Sequence, residues 1–143
     1  MPGTAPTPAG ESSPLLRMTQ TTPTALWNDS ADPTELARAI GWGAVGATCN
    51  PVIALAAIRA DQERWERRIA EIAAERPTAT ESEIGWAVVE EVSLLAARLL
   101  EPAFEEHNGY NGRLSMQTDP RLARDAVALA DQDGGTLLTY NVE

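Results

Sequence analysis

The sequence contains no lysine, and arginine accounts for all 11 of its Lys and Arg residues. It also has a single cysteine, Cys49, and a single histidine, His107. One cysteine excludes an internal disulfide and a zinc cluster built from cysteines, and it suits a reducing compartment. One histidine among scattered carboxylates gives no metal-ligand spacing, so we predict neither a metal nor a cofactor. Chemistry that requires a lysine nucleophile cannot be performed by these residues.

A long apolar run and an excess of positive charge are also missing. No apolar stretch reaches the ~18–20 residues of a membrane span, and no basic segment precedes an apolar one as in a secretory signal. The formal net charge is −10, which disfavours contact with nucleic acid phosphates. We therefore expect a cytoplasmic protein that binds neither nucleic acid nor membrane. The 143 residues, 43% of them hydrophobic, suit one globular domain.

The composition changes twice along the chain. Residues 1–23 are rich in Pro, Thr, Ser and Gly, and we predict a disordered tail there, because such a segment buries little apolar surface. Met18 is either the start of the organised sequence or part of a flexible extension, and both interpretations remain open. Residues 24–132 form the organised part, and residues 133–143 are predicted to be a divergent C-terminal tail.

A strand-like apolar run followed by an Asx-Pro pair occurs three times. The pairs are Asp32-Pro33, Asn50-Pro51 and Asp119-Pro120. Asp and Asn cap the free N–H groups of a first helical turn, and proline at the first helical position loses no hydrogen bond. Three strands that are each followed by a capped helix predict an α/β fold with a parallel sheet and helical crossovers.

A helical insert is predicted between the second and third strands. Two apolar series recur every three, four or seven residues, and Thr80-x-x-Glu83 offers a capping box for the second. One interpretation is that the helices of residues 52–107 form a non-enzymatic interaction module. The apolar positions of the two helices are Ile58, Trp65, Ile69 and Ile72, then Ile84, Val88, Val92, Leu95 and Leu99.

Polar residues gather where the predicted strands end. Because parallel strands bind ligands at their carboxyl ends, one hypothesis is a site for a polyhydroxylated or carbonyl substrate, using proton transfer and hydrogen bonds. The alternative is that these residues are helix caps, which we favour for Asp32, Asn50 and Asp119. For Asp29 we favour a catalytic role. The strand-end residues are Asn28, Asp29 and Ser30, then Thr48, Cys49 and Asn50, then Gln117, Thr118 and Asp119.

Three of these segments carry a family resemblance. Residues 27–32 (WNDSAD), 43–51 (GAVGATCNP) and 112–122 (GRLSMQTDPRL) resemble the first three strand motifs of the transaldolases, in the same order. The resemblance covers residues 24–132. It implies an eight-stranded (β/α) barrel that binds a sugar phosphate through a lysine Schiff base. The implied reaction transfers a dihydroxyacetone unit between sugar phosphates, in the pentose phosphate pathway of carbohydrate metabolism.

The resemblance also implies roles for four residues. Asp29 matches the family's acid/base carboxylate, and Asn50, with Thr48 beside it, matches the amide that binds substrate hydroxyls. Gln117 falls where typical transaldolases carry a glutamate that activates water, and glutamine cannot accept a proton at neutral pH. The related sugar-phosphate aldolases carry glutamine there, so the reaction subtype stays open. Cys49 replaces a threonine of the motif. This replacement is either neutral for packing or changes the local polarity, and both interpretations remain open.

The Schiff-base lysine of the family has no counterpart in this sequence. Arginine cannot replace it, because its guanidinium stays protonated. A barrel of this type also needs about 250 residues. We therefore expect an incomplete TIM (β/α)8 barrel, the N-terminal portion of a transaldolase-like protein, with about three βα units and a helical insert between strands 2 and 3. Alone it is expected to be inactive, with exposed strand edges that favour self-association or complementation as half of a split barrel.

Overall fold

The computed structural model describes residues 13–122, 124–125, 127–128 and 138–141. Within these residues the chain forms a parallel sheet and a layer of helices. The strands are β1 (Leu26–Asn28), β2 (Ala44–Cys49), β3 (Arg113–Gln117) and β4 (Leu138–Asn141). The helices are α1 (Pro14–Thr21), α2 (Pro33–Gly41), α3 (Pro51–Ala60), α4 (Gln62–Glu75), α5 (Glu81–Leu99) and α6 (Glu101–Glu106), with a 3-10 turn at Pro120–Leu122.

The sheet has the strand order β1-β2-β3-β4, and every neighbouring pair is parallel. The register pairs Asn28 with Ala47, and Cys49 with Met116. All carboxyl ends therefore lie at one edge of the sheet, as the strand-then-helix pattern predicts. The α/β class with parallel strands is confirmed.

One face of the sheet packs against the helices. Alternate residues of β2 and β3 point into this core, where they meet α2, α3 and α5. The strand residues Ala47, Cys49, Leu114 and Met116 are each at most 2% exposed. The intervening residues, Gly46 and Thr48 on β2 and Ser115 and Gln117 on β3, lie on the other face, which we call the inner face.

The predicted caps at Asp32, Asn50 and Thr80 form where the sequence places them. The N–H of Glu35 donates to Asp32 Oδ1 at 2.9 Å, and α2 begins at Pro33. Thr80 and Glu83 form the reciprocal capping box at the start of α5. The structure divides the first predicted insert helix into α3 and α4 at Asp61, where the backbone leaves helical geometry.

The turn into β3 requires glycine. Asn108 and Gly109 have φ of 51° and 78°, in the left-handed region, as the Asn-Gly pair suggests. Gly112 has a φ of 81°, and a Cβ there would overlap the backbone of Phe104. The end of α6 therefore packs directly on the chain that enters β3.

The N-terminal segment differs from the prediction of a disordered tail through residue 23. Helix α1 occupies Pro14–Thr21, with Ser13 Oγ accepting from the N–H of Leu15 at 3.3 Å. The helix approaches the turn before β2 so closely that a Cβ on Gly43 would overlap Thr19. A cap and a proline at the first position start this helix despite the polar composition around it. Residues 1–12 lie outside the described part of the chain.

The C-terminal segment also differs from the predicted tail. The sequence predicts three strands, whereas Leu138–Asn141 adds a fourth, paired in parallel with β3 from Leu114 to Gln117. Threonine and tyrosine favour extended backbone, and the open edge of β3 supplies hydrogen-bond partners. Most of the predicted helix around Leu122, Val127 and Leu129 lies outside the described residues. In the described part, no helix is long and apolar enough to cross a membrane.

Candidate active site

Asp29 and Thr48 meet at the carboxyl edge of the sheet. Asp29 follows β1 directly, and the register of β1 and β2 sets it level with Thr48. The Thr48 hydroxyl donates a short hydrogen bond to Asp29 Oδ1. Asp29 is exposed and Thr48 is half-buried, so the carboxylate is held in place while it stays open to solvent. A fixed, accessible carboxylate can exchange protons with a bound hydroxyl group.

Asn50 stands two residues beyond Thr48 and has a structural role. Its Oδ1 accepts the N–H of Ile53 at 2.9 Å, which caps α3. The predicted capping role of Asn50 is therefore present. Because the cap uses the oxygen, the NH₂ of the same side chain is the group that can donate to a ligand hydroxyl.

Gln117 ends β3 at the same edge. The Cys49–Met116 pair puts Gln117 one step further along, level with Asn50, and Asn141 of β4 is its register partner on the other side. Gln117 is half-buried. The four predicted site residues thus share one edge, and Asp29 and Thr48 are in direct contact through their hydrogen bond.

Cys49 lies between Thr48 and Asn50 in sequence but on the opposite face of the sheet. It is 2% exposed and packs in the helix-facing core. Burial raises the pKa of its thiol above the usual range. A buried, protonated thiol is a poor nucleophile, so Cys49 acts as a small apolar residue.

The other strand-end residues hold the backbone. Ser30 Oγ accepts the N–H of Asp32, and Asp32 caps α2. Asp119 is 3% exposed and accepts from the backbone N–H of Arg121 at 2.9 Å, as well as from its guanidinium. These bonds from Arg121 hold the pKa of the Asp119 carboxyl below its usual range. Asp119 therefore fixes the 3-10 turn after β3 instead of capping an α-helix.

Two residues of β1 have features that the sequence analysis missed. Trp27 lies flat over Gly46 on the inner face and keeps 42% of its surface exposed. Asn28 points its Nδ2 atom into a buried position, where the described residues offer it no hydrogen-bond partner. The alternation of side chains along β1 could have predicted that Trp27 and Asn28 lie on opposite faces of the sheet. The contact of Trp27 with Gly46 could not be predicted in this way, because it depends on the register between β1 and β2.

The donor and acceptor set at this edge is a carboxylate, a hydroxyl and two amides. Among the residues that the structure describes, no group of three His, Cys, Asp or Glu side chains is placed to hold a metal ion. The set suits hydrogen bonding and proton transfer on a hydroxylated substrate. It contains no amine for a Schiff base, because the sequence has no lysine.

Parallel strands, helical crossovers and a polar carboxyl edge define this chain as an α/β protein with a parallel sheet. Residues 26–132 match the Transaldolase/Fructose-6-phosphate aldolase family. The chain therefore belongs to this family, and the resemblance carried by its strand motifs is confirmed.

Three curated relatives align over 84 residues, which is 59% of this chain. A transaldolase from Kocuria rhizophila is 39% identical, with 22% of its own length covered. Transaldolase 1 of Streptomyces avermitilis is 37% identical with 21% covered, and transaldolase 2 of the same organism is 36% identical with 22% covered. The aligned part thus spans about a fifth of the length of these relatives.

Proposed function

We propose that this chain carries the proton-transfer and hydroxyl-binding part of a transaldolase-type site for sugar phosphates. The observation that carries the proposal is the hydrogen bond from Thr48 to Asp29, at an edge shared with Asn50 and Gln117. In the complete reaction, a dihydroxyacetone unit passes between sugar phosphates while a lysine holds it as a Schiff base. These residues would act on the hydroxyl groups of that substrate.

Each residue has a chemical task that fits its position. Asp29 takes up and returns the proton of a substrate hydroxyl as a carbon–carbon bond breaks and forms. Thr48 donates a hydrogen bond to Asp29 Oδ1 and so leaves the other carboxylate oxygen to face the ligand. Asn50 donates from its NH₂, and Gln117 orients a hydroxyl or a water molecule by hydrogen bonds without removing a proton.

We further propose that this chain alone does not complete the reaction. The sequence has no lysine, and arginine cannot form the imine. The four described strands also cannot close a barrel, which needs about eight. A single buried thiol fits a cytoplasmic site of action, as for a sugar-phosphate enzyme.

The missing imine is tested by chemical trapping. The chain is incubated with fructose 6-phosphate and borohydride, and its intact mass is measured. We expect no adduct, whereas the Kocuria rhizophila transaldolase serves as the positive control under the same conditions. A covalent adduct on this chain would mean that its α-amine forms the imine, and that the claim of inactivity is wrong.

The hydroxyl-binding role is tested by NMR titration of the labelled chain with fructose 6-phosphate. We expect saturable shifts of the backbone signals around Asp29 and Asn50. Asp29→Asn should weaken binding, whereas Asp32→Asn, a matched change at the same edge that keeps its cap, should not. Asn50→Asp keeps the capping oxygen of α3 but loses the NH₂ donor, so it should weaken binding while the fold stays stable. Equal binding by all four proteins would contradict the proposed site.

A second candidate function is that of one half of a split barrel. The observation that favours it is the open sheet: β1 is a three-residue edge strand, and β4 has one paired neighbour among the described strands. Parallel strands are normally paired on both sides, so these edges are positioned to pair with further strands or with a second copy.

The split-barrel hypothesis has a direct test. Co-expression with the lysine-containing remainder of the Kocuria rhizophila transaldolase should give a complex of the two chains. When this complex is treated with fructose 6-phosphate and borohydride, the reduced sugar adduct should form on the remainder. Light scattering of the chain alone should show oligomers, formed through the free edges. A sharp monomer that neither oligomerises nor joins the remainder would contradict this candidate.

A further inference from the structure

The inner face of the sheet carries an aromatic surface directly below the candidate active site. Trp27 pairs with Gly46 in the ladder between β1 and β2. A Cβ built on Gly46 would overlap the Cδ2, Cε2 and Cζ2 atoms of the indole, the last at 2.8 Å. The ring therefore lies flat on the backbone of β2, and only glycine leaves room for it there.

This indole and the Asp29–Thr48 pair are on the same side of the sheet. Gly46 and Thr48 are two residues apart on β2, so they share a face. Trp27 pairs with Gly46, and Asp29, just after β1, is hydrogen-bonded to Thr48. Two residues of a strand span about 6.6 Å. The ring is thus one step below the carboxylate, within the reach of a single sugar carbon chain bound to Asp29.

Trp27 combines a close contact with an open surface. One face of the ring is covered by Gly46, and 42% of the residue is exposed. A rigid aromatic plane has few side-chain torsions to order on binding, and its face attracts the weakly positive C–H groups of a ligand. The C–H face of a sugar chain is such a surface, and its hydroxyls remain free to reach Asp29 and Asn50.

We infer that Trp27, seated on Gly46, is the stacking wall of the sugar-phosphate pocket and sets the position of the carbon chain against Asp29. This inference rests on the proposed function, and it adds a specificity-determining residue to it. Trp27 takes no part in proton transfer. It excludes water from one side of the carbon chain and favours ligands with an unbranched C–H face.

The chain contains its own control for this role. Trp42 is 39% exposed, almost as much as Trp27, but it lies at the end of α2, at the amino-terminal end of β2. Trp65 is buried in the core and Trp86 is half-buried against it. The four indole N–H signals in an NMR spectrum therefore report on one site residue and three others, and Trp27→Phe identifies the signal of Trp27.

The test is a titration of the full chain with fructose 6-phosphate, and with inorganic phosphate as a probe that lacks the carbon chain. We expect the Trp27 signal to shift saturably with the sugar phosphate but not with phosphate, and the Trp42 signal to stay in place. Trp27→Leu should raise the Kd by about threefold to tenfold, the usual range for an aromatic contact. Trp27→Phe should recover most of that loss, while Trp42→Leu should leave the Kd unchanged.

The possible failures are distinguishable. If backbone signals at Asp29 and Asn50 shift while the Trp27 signal does not, and Trp27→Leu binds as tightly as the wild type, the stacking wall is disproved and the proposed function stands. If no signal shifts with fructose 6-phosphate, both are overturned. If a variant fails to fold, the titration of the unmodified chain still shows whether the Trp27 signal responds to fructose 6-phosphate.

Discussion

The two faces of the sheet have different roles in this protein. On the helix-facing side, Cys49, Leu114 and Met116 are closed off from solvent and fit against α3 and α5. On the inner face, Thr48, next to Cys49, is polar and half-buried, and Trp27 of β1 is aromatic and 42% exposed. Stability and chemistry are therefore separated by a single residue step along a strand, since successive side chains alternate between faces.

The largest expected effect is on the packed face. Leu114→Ala should lower the free energy of unfolding by about 2–5 kcal/mol, because it leaves a cavity between β3 and the helices. Leu55→Ala on α3 is the matched control: Leu55 is 44% exposed, and its loss should cost less than about 0.5 kcal/mol. Urea unfolding measures both. A similar loss of unfolding free energy in Leu114→Ala and Leu55→Ala would mean that the packed face of the sheet contributes no more to stability than the exposed surface of α3.

The second prediction concerns a polar group that lies on the packed side. Asn28 pairs with Ala47, so its side chain shares the helix-facing direction, and its buried Nδ2 has no partner among the described residues. Asn28→Leu should therefore raise the free energy of unfolding by about 1–3 kcal/mol, the cost of an unsatisfied buried polar group.

Thermal unfolding checks the Asn28 prediction, with Asn28→Ala as the control that removes the amide without refilling the space. If Asn28→Leu instead destabilises the chain, the amide has a hydrogen-bond partner, such as an internal water molecule. The helix-facing side would then contain a polar site of its own, and the contrast between the two faces would be weaker.

The caps of α2 and α3 allow a finer comparison. Both residues cap a helix, but Asn50 belongs to the proposed site and Asp32 does not. Asp32→Ala should lower the free energy of unfolding by about 1 kcal/mol, and Asp32→Ser should restore most of it. Asn50→Ala should cost a similar amount of stability and should also weaken binding of fructose 6-phosphate. Denaturation together with NMR titration separates the two roles. Loss of binding in Asp32→Ala would indicate that capping alone governs the site.

The local parts of this fold can be predicted from sequence, and the contacts between strands cannot. Asp32, Asn50 and the Thr80–Glu83 box act within four residues, so their sequence patterns predict helix starts that the structure confirms. Helix α1 was missed because the composition of residues 1–23 outweighed the Ser13-Pro14 start signal. Strand β4 was missed because four residues without clear periodicity become a strand only through the open edge of β3.

The candidate site follows the same division. The polar strand ends predict that Asp29, Thr48, Asn50 and Gln117 lie at one edge together with five other residues, because parallel strands end at one edge. The family resemblance selects these four from the nine. The hydrogen bond between Thr48 and Asp29 joins residues 19 positions apart and depends on the register of β1 against β2. The same register sets Trp27 on Gly46. A pattern within one strand has no information about which residue faces it on the next.

The smallest expected effect is present at neutral pH and is lost in acid. Arg121 holds the pKa of Asp119 below its usual range, so the pair contributes stability above the unfolded pKa of about 3.9 and loses it as the pH falls through the lower folded value. Asp119→Asn should therefore be less stable than the wild type at pH 7, and the difference should shrink below about pH 4.

Urea unfolding across this pH range measures the Asp119 difference, and Arg121→Gln should reduce the pH-dependent part of it. Because Arg121 is half-exposed, solvent screens the pair, and its effect should stay below that of a lost cap. A difference that is constant with pH would mean that the negative charge of Asp119 adds no stability to the turn. In that case the edge beside Gln117 would be held by local geometry, as the Asp32 and Asn50 caps hold theirs, and not by charge.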